Sequence, residues 1–116
     1  MSTRIIVSIT LFITVVASFG AAQPTDAELV KQGDALAARG DYKKAAALYE
    51  KAARHNYAAG ECKLGKAYCA GQGVPTNFTL GKQWLKRAAA HGSKDAKYAL
   101  EDLQKLEQMM GGIEFH

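Results

Sequence analysis

From residue 26 to residue 110 large apolar and alanine positions recur every three to four residues, broken at intervals by glycine, asparagine or proline, a spacing that predicts helices rather than strands. Thr25 and Glu28 stand at capping-box spacing before a first helix that carries Leu29, Gly33 and Leu36 on one face, runs to about Arg39 and ends at Gly40. Asp41 is placed to cap a second helix. Its stripe is Tyr42, Ala45, Ala46, Tyr49, Ala52 and Ala53, and it stops near Asn56, the best non-glycine residue for a left-handed terminus. In a third helix Leu64, Gly65 and Tyr68 share a packing face, with the glycine admitting a close backbone. Gly71-Gln72-Gly73-Val74-Pro75 then breaks the helical period. Asn77 caps the fourth helix, where Trp84, Leu85, Ala88 and Ala89 return an apolar stripe that reads as core, and Gly92 closes it. A fifth helix begins after Ser93, carries Ala96, Ala99, Leu100, Leu103, Leu106 and Met110, and stops at Gly111-Gly112.

The pattern repeats itself. At an offset of 36 residues the second helix falls on the fourth without gaps: Ala45 on Gly81, Leu48 on Trp84, Ala52-Ala53 on Ala88-Ala89, His55 on His91 and Asn56 on Gly92. The same offset carries Leu64 onto Leu100. A period of this size with two helices per unit is the mark of an α-solenoid, in which no unit buries its apolar face alone. The expected fold is therefore all-α, a short α-solenoid of two helical hairpins plus a C-terminal capping helix. Glu101 and Gln104, where the repeat would place glycine and tyrosine, give that last helix the polar outer face that ends a stack.

The N-terminus changes the picture of where this domain works. Arg4 precedes an apolar run from Ile5 to Phe19, followed by Gly20-Ala21-Ala22, which is the order of a secretory signal peptide; the run is shorter than the ~20 residues of a membrane-spanning helix. Residues 1–22 are thus expected to be a cleaved signal peptide, with a retained membrane anchor as the rival reading. The repeat domain then covers residues 23–110, residues 111–116 form a flexible tail, and the destination is secreted or periplasmic, without stable membrane insertion after cleavage. Cleavage takes Arg4 from the 15 basic residues and leaves 14 against 11 acidic ones, about +3. That balance is interspersed and lacks a basic run, so it favours solubility and weak attraction to acidic surfaces over nucleic-acid binding. A single domain this short has little room for a deep enclosed active site.

Leu64-Gly65, Tyr68, Gly71-Gln72-Gly73-Val74-Pro75, Asn77, Trp84, Ala88-Ala89 and the closing Gly92 resemble the Sel-one-like repeat family, a branch of the tetratricopeptide-like α-solenoids. The first hairpin, with Gly40-Asp41-Tyr42, Ala45, Tyr49 and Lys51-Ala52, looks more like a tetratricopeptide half, and Gly81 departs from the family's usual alanine. A glycine there costs ~1 kcal/mol of helix stability relative to alanine, so either close packing compensates or the region is loose. The resemblance implies a non-catalytic module, without a cofactor, that binds a protein or peptide partner. Its phase places Val30, Asp34, Ala37, Cys62, Lys66, Cys69, Tyr98 and Asp102 on the inner faces of the first, third and fifth helices. A groove so lined suits a helix or extended peptide, with Tyr98 as anchor and Lys66 and Asp34 setting polarity; the plainer reading is that the small residues only pack helix on helix.

Cys62 and Cys69, seven residues apart, lie ~10.5 Å apart along a helix axis, too far for a disulfide between them. They are small buried hydrophobes or groove thiols open to an intermolecular disulfide, which would give a thiol-linked dimer. A small secreted hydrolase or thiol enzyme using Cys69 is the catalytic alternative, although no nucleophile motif, orienting carboxylate or oxyanion loop accompanies it. His55 and His91 occupy equivalent helix ends, where imidazole complements the dipole and bonds free carbonyls, and no metal-ligand spacing occurs. Asn77-Phe78-Thr79 matches a glycosylation sequon, but a helix cap explains Asn77 better.

Overall fold

The computed structural model describes residues 23–111. The signal-peptide expectation for residues 1–22 and the tail expectation beyond Gly111 lie outside the described residues. Five helices follow one another: α1 (Asp26–Ala38), α2 (Tyr42–Arg54), α3 (Ala58–Ala70), α4 (Phe78–Ala90) and α5 (Lys94–Met109). No strand occurs among the described residues.

The helix starts follow from side-chain caps. Thr25 Oγ1, Asn77 Oδ1 and Ser93 Oγ accept from Glu28, Leu80 and Ala96 N–H at 3.2, 3.0 and 3.1 Å. Asp41 departs from expectation: its side chain makes no cap bond to α2 and instead pairs with Lys44 at 3.7 Å. The ends of α2 and α4 are built alike. Asn56 (φ 59°) and Gly92 (φ 100°) turn left-handed, and the next N–H groups, Tyr57 and Ser93, reach back to the Ala52 and Ala88 carbonyls at 3.3 and 2.9 Å. The 36-residue repeat is therefore a repeat of helix-ending geometry as well as of apolar stripes.

Each helix packs on its chain neighbours, α3 against α4 most extensively, then α1 against α2 and α2 against α3; α1 and α5 also touch α3 side by side. The α-solenoid expectation holds. One core cluster joins Leu29 and Val30 of α1, Ala45, Tyr49 and Ala52 of α2 and Leu64 of α3; a second joins Cys62, Leu85, Ala88 and Ala96. The two clusters meet on either side of α3.

Small residues set the helix spacing. A Cβ on Gly65 would sit 2.9 Å from both the Gly81 carbonyl oxygen and Leu85 Cγ, and one on Gly81 would lie 2.5 Å from Cys69 Sγ. Gly81 is thus compensated by close packing. The long loop before α4 is held as tightly: a Cβ on Gly73 would collide with the Tyr42 carbonyl at the start of α2. Gly65→Ala sets two effects against each other, a helix-propensity gain of ~1 kcal/mol and an overpacking cost of about 1–3 kcal/mol against backbone that cannot yield. The clash opposes and can outweigh the gain, so urea denaturation should show Gly65→Ala destabilised by up to about 2 kcal/mol; a variant more stable than the parent would refute the close approach.

Candidate functional site

The helix order creates a concavity between the first two hairpins. Asp34, Ala37 and Ala38 of α1 form one wall and Lys63, Lys66 and Ala67 of α3 the other, around a recess of about 450 Å³. Ala45 and Tyr49 of α2 form its floor, and Tyr42 and Gln72 close one end. Alanines leave the space, and the Gly73 contact with α2 brings Gln72 and Tyr42 together.

Its polar groups are unequally engaged. The Tyr49 ring packs flat enough on Gly33 that a Cβ there would come within 2.6 Å, which aims the hydroxyl at α1. That hydroxyl donates to Asp34 Oδ1 at 2.6 Å, and Lys63 Nζ pairs with the same oxygen at 3.3 Å. Asp34, Tyr49 and Lys63 therefore tie α1, α2 and α3 together across the recess. Burial, the hydrogen bond to Asp34 and its negative charge push the Tyr49 phenol well above its ordinary range. Lys66, one turn beyond Lys63, is exposed and has no ion pair or hydrogen bond among the described residues.

Of the eight residues expected on the inner faces, this groove gathers Asp34, Ala37 and Lys66. Val30 is 8% exposed and belongs to the core with Leu29 and Leu64. Cys62, 3% exposed, lies under a second, shallower recess of about 290 Å³ between α3 and the start of α5, beside Tyr57 and Asp95. Cys69 is half-buried against Gly81 of α4. Burial pushes its thiol up, the Lys82 ammonium pulling less strongly the other way, so it lacks the surroundings that make a reactive thiolate. Both cysteines are free, and an intermolecular disulfide would have to start from Cys69. Tyr98 and Asp102 stand exposed on α5 away from the first groove; the exposed aromatic at that groove is Tyr42, 40% exposed, with Tyr49 buried in its floor. Tyr42 reads in the sequence only as part of the α2 stripe, and its place in the groove depends on the docked loop.

The histidines also differ from expectation. His55 Nδ1 lies 2.6 Å from Asp26 Oδ1 and His91 Nδ1 2.6 Å from Glu61 Oε1, so each binds a carboxylate of the preceding helix instead of a terminal carbonyl. Because each pair joins one helix's end to its predecessor's beginning, both hairpins are antiparallel. Glu61 is 0% exposed, which its sequence position does not reveal. Its Oε2 has no well-directed hydrogen bond and is compensated by Arg87 Nε at 3.2 Å; Arg87 also donates to Asn56 Oδ1 and stacks over Trp84. The described residues hold no cluster of His, Cys, Asp or Glu suited to a metal ion, and none of their helices is long and apolar enough to cross a membrane.

Two tandem helical hairpins with matching termini invite comparison with known repeat families. The family model of the Sel1 repeat matches residues 29–57 and 58–93, more than half of the chain. The chain belongs to the Sel1 repeat family. The first Sel1 match covers the hairpin that resembles a tetratricopeptide half, so both hairpins are Sel1 units. An F-box protein of Arabidopsis thaliana is 36% identical over 81 residues, covering 70% of this chain; the matched part spans 22% of that protein. No solved structure matches. Sel1 repeats generally mediate protein–protein interaction and are typically non-catalytic.

The Tyr49 phenol, raised by burial and then by Asp34, predicts a pH dependence of known sign. Above about pH 10 the unfolded chain releases the Tyr49 proton while the folded chain keeps it. Stability present below that pH is therefore lost as pH rises, by up to about 1.4 kcal/mol per pH unit from this group. Denaturation midpoints of the parent should fall more steeply above pH 10 than those of Tyr49→Phe; parallel profiles would count against a buried phenol raised in this way.

Proposed function

We propose that this protein is an exported, non-catalytic Sel1-repeat adaptor that binds a protein or peptide segment in the groove between α1 and α3. The observation that carries the reading is the groove itself: its alanine walls and floor leave a recess of about 450 Å³, and its rim holds polar groups for orientation. Family membership supplies the class of activity. Export rests on the sequence alone, on Arg4, the apolar run from Ile5 to Phe19 and the small residues before Gln23. The raised Cys69 thiol weighs against the thiol-enzyme alternative.

A photo-crosslinking residue placed at Gln72, exposed at the end of the groove, tests the site and compartment together in the producing cell. The expected result is a discrete crosslinked partner in the extracytoplasmic fraction, attached to a chain that starts at Gln23. The same residue at Lys86, exposed on α4 outside the groove, should capture nothing comparable. Capture from Lys86 but not from Gln72 would reject the groove, and a chain still beginning at Met1 in the cytosol would reject export.

A further inference from the structure

Taking the groove as the binding face, we infer that its partner is an acidic peptide segment, with a carboxylate side chain that pairs with Lys66 and a neighbouring apolar side chain that fills the alanine recess beside Tyr42. Charge is left over in the groove. The groove's charged groups are Asp34, Lys63 and Lys66. Asp34 is occupied twice, by the Tyr49 hydroxyl at 2.6 Å and by Lys63 at 3.3 Å. Lys63 is thereby neutralised and drawn toward α1.

Lys66 remains. It sits on the groove wall without an ion pair or hydrogen bond among the described residues, so the concavity presents one uncompensated positive charge. A cationic partner would add like charge to a groove whose sum is positive, its one lining carboxylate, Asp34, being bridged through Oδ1 by Tyr49 and Lys63; a neutral one would leave the Lys66 ammonium without a counter-charge. The apolar requirement comes from Ala37, Ala45 and Ala67, whose short side chains create the recess, and from the half-exposed Tyr42 ring at its end. A carboxylate next to an aromatic or aliphatic side chain satisfies both features within one short segment.

A displayed library of random dodecapeptides, selected on the purified protein, supplies the ligand. Enriched peptides should carry Asp or Glu beside a large apolar residue, and should bind more weakly as salt rises. Lys66→Ala should weaken them about fivefold, as for a partly exposed ion pair, and Lys66→Glu more. Replacing the peptide's acid with lysine should restore binding to Lys66→Glu. Ala38→Trp, which fills the recess without adding charge, should abolish binding. Peptides blocked by Ala38→Trp but showing no acidic bias, or indifferent to Lys66→Glu, would overturn the acidic-partner inference and leave the groove standing. Peptides unaffected by Ala38→Trp, or no enrichment at all, would overturn the groove reading itself. Circular dichroism checks that each variant, altered only at an exposed position, keeps its helices.

Discussion

Everything in this small stack depends on α3 being packed on two sides at once. Neither hairpin closes a core by itself: Leu64 of α3 completes the cluster begun by α1 and α2, while Cys62 of the same helix belongs to the cluster with α4 and α5. Glycine makes the second contact possible, because at Gly65 and Gly81 the α3 and α4 backbones approach more closely than any Cβ allows. The start of α3 is fixed electrostatically as well. Glu61 is wholly buried there, and desolvating a carboxylate is tolerable because the helix N-terminus is positive and His91 and Arg87 converge on it. Arg87 extends the tie to Asn56, so the left-handed turn between the hairpins is bound to the helix that closes the second one.

The groove is a consequence of this arrangement. Because α1 and α3 stand side by side over α2, their facing residues divide into two sets. Those at the contact, such as Val30, become core, and those further out, such as Ala37 and Lys66, line open space. The Asp34–Tyr49–Lys63 bridge holds the two walls at a set separation. It also consumes the acid of the groove and one of its two lysines. Structural stability and the polarity of the groove are thus coupled through one carboxylate. The glycine loop joins them by bringing Gln72 up to Tyr42, so a feature that serves to turn the chain also shapes the end of the recess.

Most of the fold was legible because its determinants are local. Caps at Thr25, Asn77 and Ser93, left-handed stops at Asn56 and Gly92, and a 36-residue register each involve residues within one turn or one repeat. The buried carboxylate was not legible. Glu61 follows a glycine in a first helical turn, where acids are ordinarily solvated, and its partners lie 26 and 30 residues further on. The histidines showed their equivalence through the repeat, but their acids, Asp26 and Glu61, fall outside its 36-residue register, which hid the pairing. Asp41 had the right identity for a cap and the wrong backbone, with ψ 65° in place of the extended conformation at the other caps. Groove residues were legible by phase where they stand clear of a neighbouring helix and misleading where helices meet.

On the proposed reading, α1 and α3, rather than the exposed face of α5 bearing Tyr98, recognise the partner. A nitrogen-15 amide spectrum of the protein, titrated with a selected acidic peptide, addresses it residue by residue. The largest shifts should fall on Asp34–Ala38 and Lys63–Ala67, with the α5 amides changing little. Shifts concentrated between Tyr98 and Met109, with the α1 and α3 walls unmoved, would contradict it.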